Sequence, residues 1–149
     1  MATETERKFL VTGEFRKYAT DKIEIIQRYL TRDPDKTVRV RIAGDNAYLT
    51  IKGKAGRGEI GRKEWEFRIP VDDAREMMNL CLPGKIVKTR YIIPEGKHFF
   101  EVDVFHDLNE GLIIAEIELG SEDEPFSRPE WLGEEVTGNP EYYNSWLAK

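Results

Sequence analysis

Like charges recur two residues apart inside segments that alternate polar and apolar residues. Arg39 and Arg41 alternate with Val38, Val40 and Ile42, and Glu64 and Glu66 with Trp65 and Phe67. Lys88 and Arg90, Glu101 and Asp103, and Glu116 and Glu118 repeat the pattern, as do Glu4 and Glu6, which are followed by Lys8. Successive side chains of a strand point to opposite faces, so each pair projects from one face about 6–7 Å apart with an apolar face behind it. A one-sided sheet with a solvated face accounts for any one such strand. A solvated face ordinarily mixes signs, because like neighbours repel. Repetition in segment after segment favours strands curled with the charged combs inward, the apolar faces outward beneath helices, and a ligand supplying the missing charge. Eight strands close a barrel just wide enough for one small ligand.

The chain is of single-domain length, 149 residues, and is read as one domain over 1–149. It carries 23 Lys+Arg against 28 Asp+Glu, a net charge of −5. That balance speaks against a general nucleic-acid binder, which shows a basic face. Cys81 is the sole cysteine, so no internal disulfide framework and no multi-cysteine metal site can form. His98 and His106 lack zinc spacing and are expected at the surface or at loop edges. The opening Met-Ala-Thr-Glu-Thr-Glu-Arg-Lys is charged where a signal peptide is apolar, and no run approaches the roughly 20 apolar residues of a membrane span. The expectation is a cytoplasmic protein with no membrane segment, monomeric or a homodimer.

Turn signals at Pro34-Asp35, Gly44-Asp45-Asn46, Pro83-Gly84, Pro94-Glu95-Gly96 and Asn109-Glu110-Gly111 separate expected strands near 3–10, 22–30, 36–43, 46–54, 60–69, 85–93, 97–105 and 112–120. Residues 53–61 form an expected hairpin loop. A short helix fits 14–19. A second fits 72–82, capped by Asp72 and packed through Ala74, Met77, Met78 and Cys81. Asn139 as cap and Pro140 at the first turn start an expected last helix running to about Ala148, docked through Tyr142, Tyr143 and Trp146. Trp131 and Trp146 are expected core anchors. Arg7 shares the apolar face with Phe9 and is expected to pair with an acid on a covering element. The fold class is α+β, mainly β: an eight-stranded antiparallel closed barrel with helices outside and a C-terminal helix.

Enclosed charges persist only when paired or neutralised. Lys8, Arg39, Arg41, Lys52, Lys88 and Arg90 suit a polyanion, the arginines offering bidentate forks to phosphate. Glu4, Glu6, Glu64, Glu66, Glu101, Asp103, Glu116 and Glu118 suit hard divalent cations. A metal–polyphosphate complex satisfies both sets.

Glu4-Thr5-Glu6-Arg7-Lys8 resembles the N-terminal Glu-x-Glu-x-Lys signature of the CYTH superfamily, the triphosphate tunnel metalloenzymes. Arg39-Val-Arg41, Thr50-Ile-Lys52, Arg62-Lys-Glu64-Trp-Glu66, Lys88-Thr-Arg90-Tyr, Glu101-Val-Asp103-Val-Phe105 and Glu116-Ile-Glu118 follow in that family's order, and the resemblance spans essentially the whole chain. It implies a tunnel that binds a small linear triphosphate with Mg²⁺ or Mn²⁺. Lys8, Arg39, Arg41, Lys52, Lys88 and Arg90 would clamp phosphate oxygens, with Lys85 near a tunnel mouth. Glu4, Glu6, Glu116 and Glu118 would hold the principal metal, while Glu64 and Asp103 would hold a second or order its waters. Lys52 and Glu66 resemble the pair that handles the proton of the attacking water. Compact loops favour inorganic tripolyphosphate, cleaved to pyrophosphate and phosphate. Nucleoside, thiamine or RNA triphosphatase, class IV adenylate cyclase and a non-catalytic polyphosphate sensor are the other outcomes the clamp allows.

Overall fold

A computed structural model describes residues 5–33, 35–54 and 62–148. Glu4, Pro34 and most of the expected 53–61 loop lie outside them. The strands are β1 (Thr5–Val11), β2 (Asp21–Asp33), β3 (Lys36–Ala43), β4 (Asn46–Lys54), β5 (Arg62–Ile69), β6 (Ile86–Glu95), β7 (His98–Phe105), β8 (Ile113–Leu119) and β9 (Leu132–Glu135), and the α-helices are α1 (Val71–Met78) and α2 (Asn144–Leu147). The mainly β class expected from the alternation is what forms. Contacts divide the chain into two compact units, Met1–Ile23 with Lys88–Tyr142 and Glu24–Val87 with Tyr143–Lys149.

In the first unit β1 runs antiparallel between β8 and β9, and β7 lies between β6 and β8. Alternation places Phe9, Phe100, Val102, Ala115 and Ile117 on the apolar face, where Phe15 and Trp131 cover them. Phe100 meets Trp131 edge-on with ring centroids 5.2 Å apart, and Phe15 meets Tyr91 likewise at 5.4 Å. Arg7 lies on this face and pairs with Glu135 of β9, as its position beside Phe9 required, with its guanidinium over Phe126. The expected helix over 14–19 shrinks to a 3₁₀ turn at Arg16–Tyr18.

In the second unit β3 pairs with β2 and β4, and β4 with β5, all antiparallel. Helix α1 closes the apolar face through Ala74 and Met78 against Val40 and Ala47. It ends at Met78, earlier than expected, and Pro70 occupies the N-cap position, so Asp72 stands in the first turn beside Asp73, where a carboxylate complements the helix dipole. Cys81 therefore lies in the turn beyond the helix, directed at the Met77 carbonyl.

The last helix departs furthest from expectation. A 3₁₀ turn at Pro140–Tyr142 gives way to extended backbone at Tyr143 (φ −75°, ψ 138°), and only Asn144–Leu147 is α-helical. Asn139 Oδ1 does accept the Glu141 N–H, but so short a segment has no helical stability of its own and follows its tertiary contacts. Those contacts are mixed: Ala148 is buried and its carbonyl accepts from Arg32 at 2.7 Å, while Tyr143 and Trp146 stay exposed. Trp131 is the core anchor; Trp146, 47% exposed, is not. No helix among the described residues is long and apolar enough to cross a membrane.

Candidate active site

The charged face of the first unit is a network centred on Asp103. Lys88 Nζ lies 2.7 Å from Asp103 Oδ2, and Arg90 donates to both Asp103 oxygens, from Nε at 2.8 Å and Nη2 at 2.9 Å. Arg90 Nη1 reaches Glu101 at 2.9 Å, and Lys8 Nζ reaches Glu116 at 3.1 Å. Lys88 is fully buried and Asp103 is 2% exposed. Burial alone would push the Asp103 carboxyl up, but Lys88 and Arg90 outweigh it and hold the group well below the usual carboxylate range. The same contest at Glu116, burial against Lys8, also ends with a lowered carboxyl. Burial opposes the Arg90 charge too, and the Asp103 hydrogen bonds reverse it.

Strand register sets like charges face to face here. Glu6 stands opposite Glu118, and Glu116 opposite Glu101. Directly opposed carboxylates destabilise a sheet unless a cation lies between them. Lys8 and Arg90 serve Glu116 and Glu101. Among the described residues this face still sets Glu6, Glu101, Asp103, Glu116 and Glu118 against Lys8, Lys88 and Arg90, an excess of acid.

The second unit presents the reverse balance. Arg39, Arg41 and Lys52 share a face with Glu64 and Glu66. Arg39 Nη2 donates to Thr50 Oγ1 at 3.2 Å and Thr50 Oγ1 donates to Glu66 Oε1 at 3.3 Å, so one hydroxyl links the guanidinium to the carboxylate. Arg39 Nε is buried without a hydrogen-bond partner. Lys52 stands directly opposite Glu64, with Glu66 one same-face position along the strand. Arg41 Nε donates to Gln27 Oε1 at 2.8 Å.

Register thus gathers Lys8, Lys88, Arg90, Glu6, Asp103, Glu116 and Glu118 on one charged face, and Arg39, Arg41, Lys52, Glu64 and Glu66 on the other. Lys85 is exposed immediately before β6 and has no place in either set, and Glu4 lies outside the described residues. Gln27, Tyr29 and Asn144 join the second set without having been singled out from sequence. A polar residue in the alternation Ile25-x-Gln27-x-Tyr29, where the flanking positions turn inward, was the available signal. His98 contacts Glu124, and His106 hydrogen-bonds Thr89 at 2.8 Å; both are partly buried.

A family model described as the CYTH domain matches residues 2–145. The chain belongs to the CYTH family. It is 45% identical to an inorganic triphosphatase of Acetivibrio thermocellus over 100% of this chain and 95% of that one. It is 36% identical to an inorganic triphosphatase of Nitrosomonas europaea, over 98% and 97% of the two chains. The crystal structure of an inorganic triphosphatase superposes with a TM-score of 0.74 at 32% identity, covering 99% of this chain and 95% of that one. The mainly β, antiparallel CYTH fold is therefore the fold of this chain, with β9 a short addition to the expected strands.

CYTH triphosphatases are generally divalent-metal dependent. The donors on the first unit's face fit such an ion by chemistry: they are carboxylate oxygens alone, in acid excess, with Glu6 and Glu118 opposed in register. Among the described residues no three carboxylate, histidine or cysteine side chains lie close enough to bind a cation unaided.

Proposed function

We propose that this CYTH chain, acting as one domain over residues 1–149, is a divalent-metal-dependent triphosphatase that hydrolyses inorganic tripolyphosphate to pyrophosphate and phosphate, with Mg²⁺ or Mn²⁺ as the ion. The observation that carries the reading is the pair of charged faces, one in acid excess and one presenting arginines and lysine, in a chain related end to end to inorganic triphosphatases.

Lys8, Arg39, Arg41, Lys52, Lys88 and Arg90 bind phosphate oxygens, with Lys85 a peripheral contributor. The buried charges among them are held ready by partners already in place, so little reorganisation is needed as charge develops on the phosphoryl oxygens. Glu4, Glu6, Glu116 and Glu118, with Asp103 as a further ligand, would hold the metal. When bound, the metal supplies charge neutralisation of the phosphate oxygens and a lowered pKa for coordinated water. Glu64 and Glu66 orient the attacking water and accept its proton, with Lys52 opposite Glu64 stabilising the charge that results. The substrate is a small molecule; nucleic acid and membrane are not partners, and the protein acts in the cytoplasm as a monomer or homodimer.

Phosphate release from tripolyphosphate, ATP, thiamine triphosphate and pyrophosphate with Mg²⁺ or Mn²⁺ tests the reading, the ATP reactions being examined also for cyclic AMP. Metal-dependent release from tripolyphosphate, far exceeding that from ATP and lost in Glu6→Gln, is the expected result. Tight tripolyphosphate binding with no turnover of any substrate would instead make the protein a sensor.

A further inference from the structure

We propose that Gln27 is the positioning residue for Arg41, fixing which edge of that guanidinium is presented to phosphate. The inference rests on Arg41 being a phosphate-binding residue, as assigned above.

Gln27 is completely buried on the polar face of β2, where a glutamine is seldom found. Its amide is used at both ends. The oxygen accepts from Arg41 Nε at 2.8 Å, and the nitrogen donates to Tyr29 Oη at 3.1 Å and to Asn144 Oδ1 at 3.4 Å. The orientation of the amide follows from its neighbours' chemistry. A guanidinium has donors only, so the atom facing Arg41 has to be the oxygen, and the nitrogen then faces the two oxygens of Tyr29 and Asn144. Reversing the amide would set N–H against N–H at Arg41 and lone pair against lone pair at Asn144. Four residues from β2, β3 and α2 thus specify a single arrangement.

With Nε held by Gln27, the end of the Arg41 guanidinium that carries Nη1 and Nη2 is the one set away from that bond. That edge is a bidentate match for two phosphate oxygens. Holding it before the substrate arrives spares the entropy of immobilising a long side chain on binding. Arg39 is anchored through Nη2 on Thr50, with its Nε buried and without a hydrogen-bond partner, so the two arginines are held differently. Gln27 touches no reacting atom under this assignment and acts through Arg41 alone.

The test is a cycle of Gln27→Leu, Gln27→Met, Arg41→Ala and the doubles, measured by tripolyphosphate hydrolysis, by direct tripolyphosphate binding and by thermal unfolding. Each Gln27 variant should raise KM and the dissociation constant about ten-fold with kcat changed less than about three-fold, the pattern of lost binding rather than lost chemistry. In the Arg41→Ala background the same substitutions should have no further effect on binding. Equal effects in both backgrounds would overturn the proposal in favour of a purely structural glutamine, as would unchanged KM in either folded variant. If Arg41→Ala leaves KM and binding untouched, the phosphate-binding assignment of Arg41 fails and takes the positioning role with it; if Arg41→Ala weakens binding and the Gln27 variants do not, only the role of Gln27 fails. Should neither Gln27 variant fold, the Arg41 Nε proton of the unmodified protein, assigned by NMR against Arg41→Lys, should exchange with solvent much more slowly than those of exposed arginines. Exchange at the exposed-arginine rate would overturn the proposal.

Discussion

Lys88 Nζ and Asp103 Oδ2 meet at 2.7 Å with both side chains almost wholly removed from solvent, and the same carboxylate also receives Arg90 through two hydrogen bonds. One acid is therefore shared by two cations, Arg90 also reaching Glu101. Removing one partner of a buried pair leaves a stranded charge, at a cost of about 3–5 kcal/mol. Asp103→Asn takes the shared acid from Lys88 and Arg90, Arg90 keeping Glu101, and should lose about that much in urea unfolding. Lys88→Met leaves Asp103 with Arg90 and should lose less, roughly 1–3 kcal/mol. The reverse order would show that Asp103 is not the centre of the network.

Acidification should destabilise the protein through its depressed carboxyls. The Arg7 hydrogen bonds hold Glu135 at about 2, against an ordinary 4.5. A group whose folded pKa is depressed contributes stability in full above its unfolded value and loses it as pH falls through the folded value. The Glu135 contribution should therefore be complete above about pH 5 and fade towards pH 2. In a Tm series across that window, Glu135→Gln should start lower at neutral pH and fall less steeply than the unmodified chain. Parallel curves would remove the Arg7–Glu135 pair from the acid response.

Metal dependence should be sensitive to the opposed acids of β1 and β8. Glu6→Gln and Glu118→Gln each remove one charge from a like-charge pair in register. Both should raise the Mg²⁺ or Mn²⁺ concentration for half-maximal tripolyphosphate hydrolysis by at least about ten-fold. An unchanged metal titration in both variants would move the metal site elsewhere.

Gly133 should not accept alanine. A Cβ there would stand 2.7 Å from Thr12 Cγ2 and 2.9 Å from the Leu10 carbonyl oxygen, and the latter is backbone that cannot swing aside. Gly133→Ala should cost about 1–3 kcal/mol by forcing β9 away from β1. Because Glu135 lies on the displaced strand, the flattened acid response of Glu135→Gln should reappear in Gly133→Ala. A stable variant with normal pH behaviour would contradict the close approach.

Much of the candidate site was legible because alternation in a strand reports directly which residues share a face. The pairs Arg39 with Arg41, Lys88 with Arg90 and Glu116 with Glu118 needed only the period of two. The acid partner of Arg7 followed from a cation placed on an apolar face. The pairing of residues far apart in sequence was not legible: nothing in Thr50-Ile-Lys52 says that Lys52 stands opposite Glu64 and Thr50 opposite Glu66. Gln27 was passed over because an uncharged polar residue interrupts an apolar pattern without announcing a partner. Strand β9 was hidden in a Pro- and acid-containing stretch with no alternation, and its existence depends on β1 offering an edge. The helix expected to Ala148 failed for the complementary reason, since a cap and a proline mark where a helix can begin but tertiary contacts decide whether it continues past Tyr143.

The setting of β1 has a consequence for how the protein opens. Strand β8 pairs with one edge of β1, β9 with the other, and beyond β9 the Val136 amide bonds to the Lys8 carbonyl at 2.8 Å while Thr137 Oγ1 accepts the Lys8 amide, also at 2.8 Å. A short strand with a bare edge frays at almost no free-energy cost, and its amides exchange freely. Here the Lys8 amide is bonded to a residue more than a hundred positions away in sequence, and that contact has to open before the amide exchanges. The strand that carries Glu6 and Lys8 is clasped from both sides, and its opening belongs to the cooperative unfolding of the whole unit.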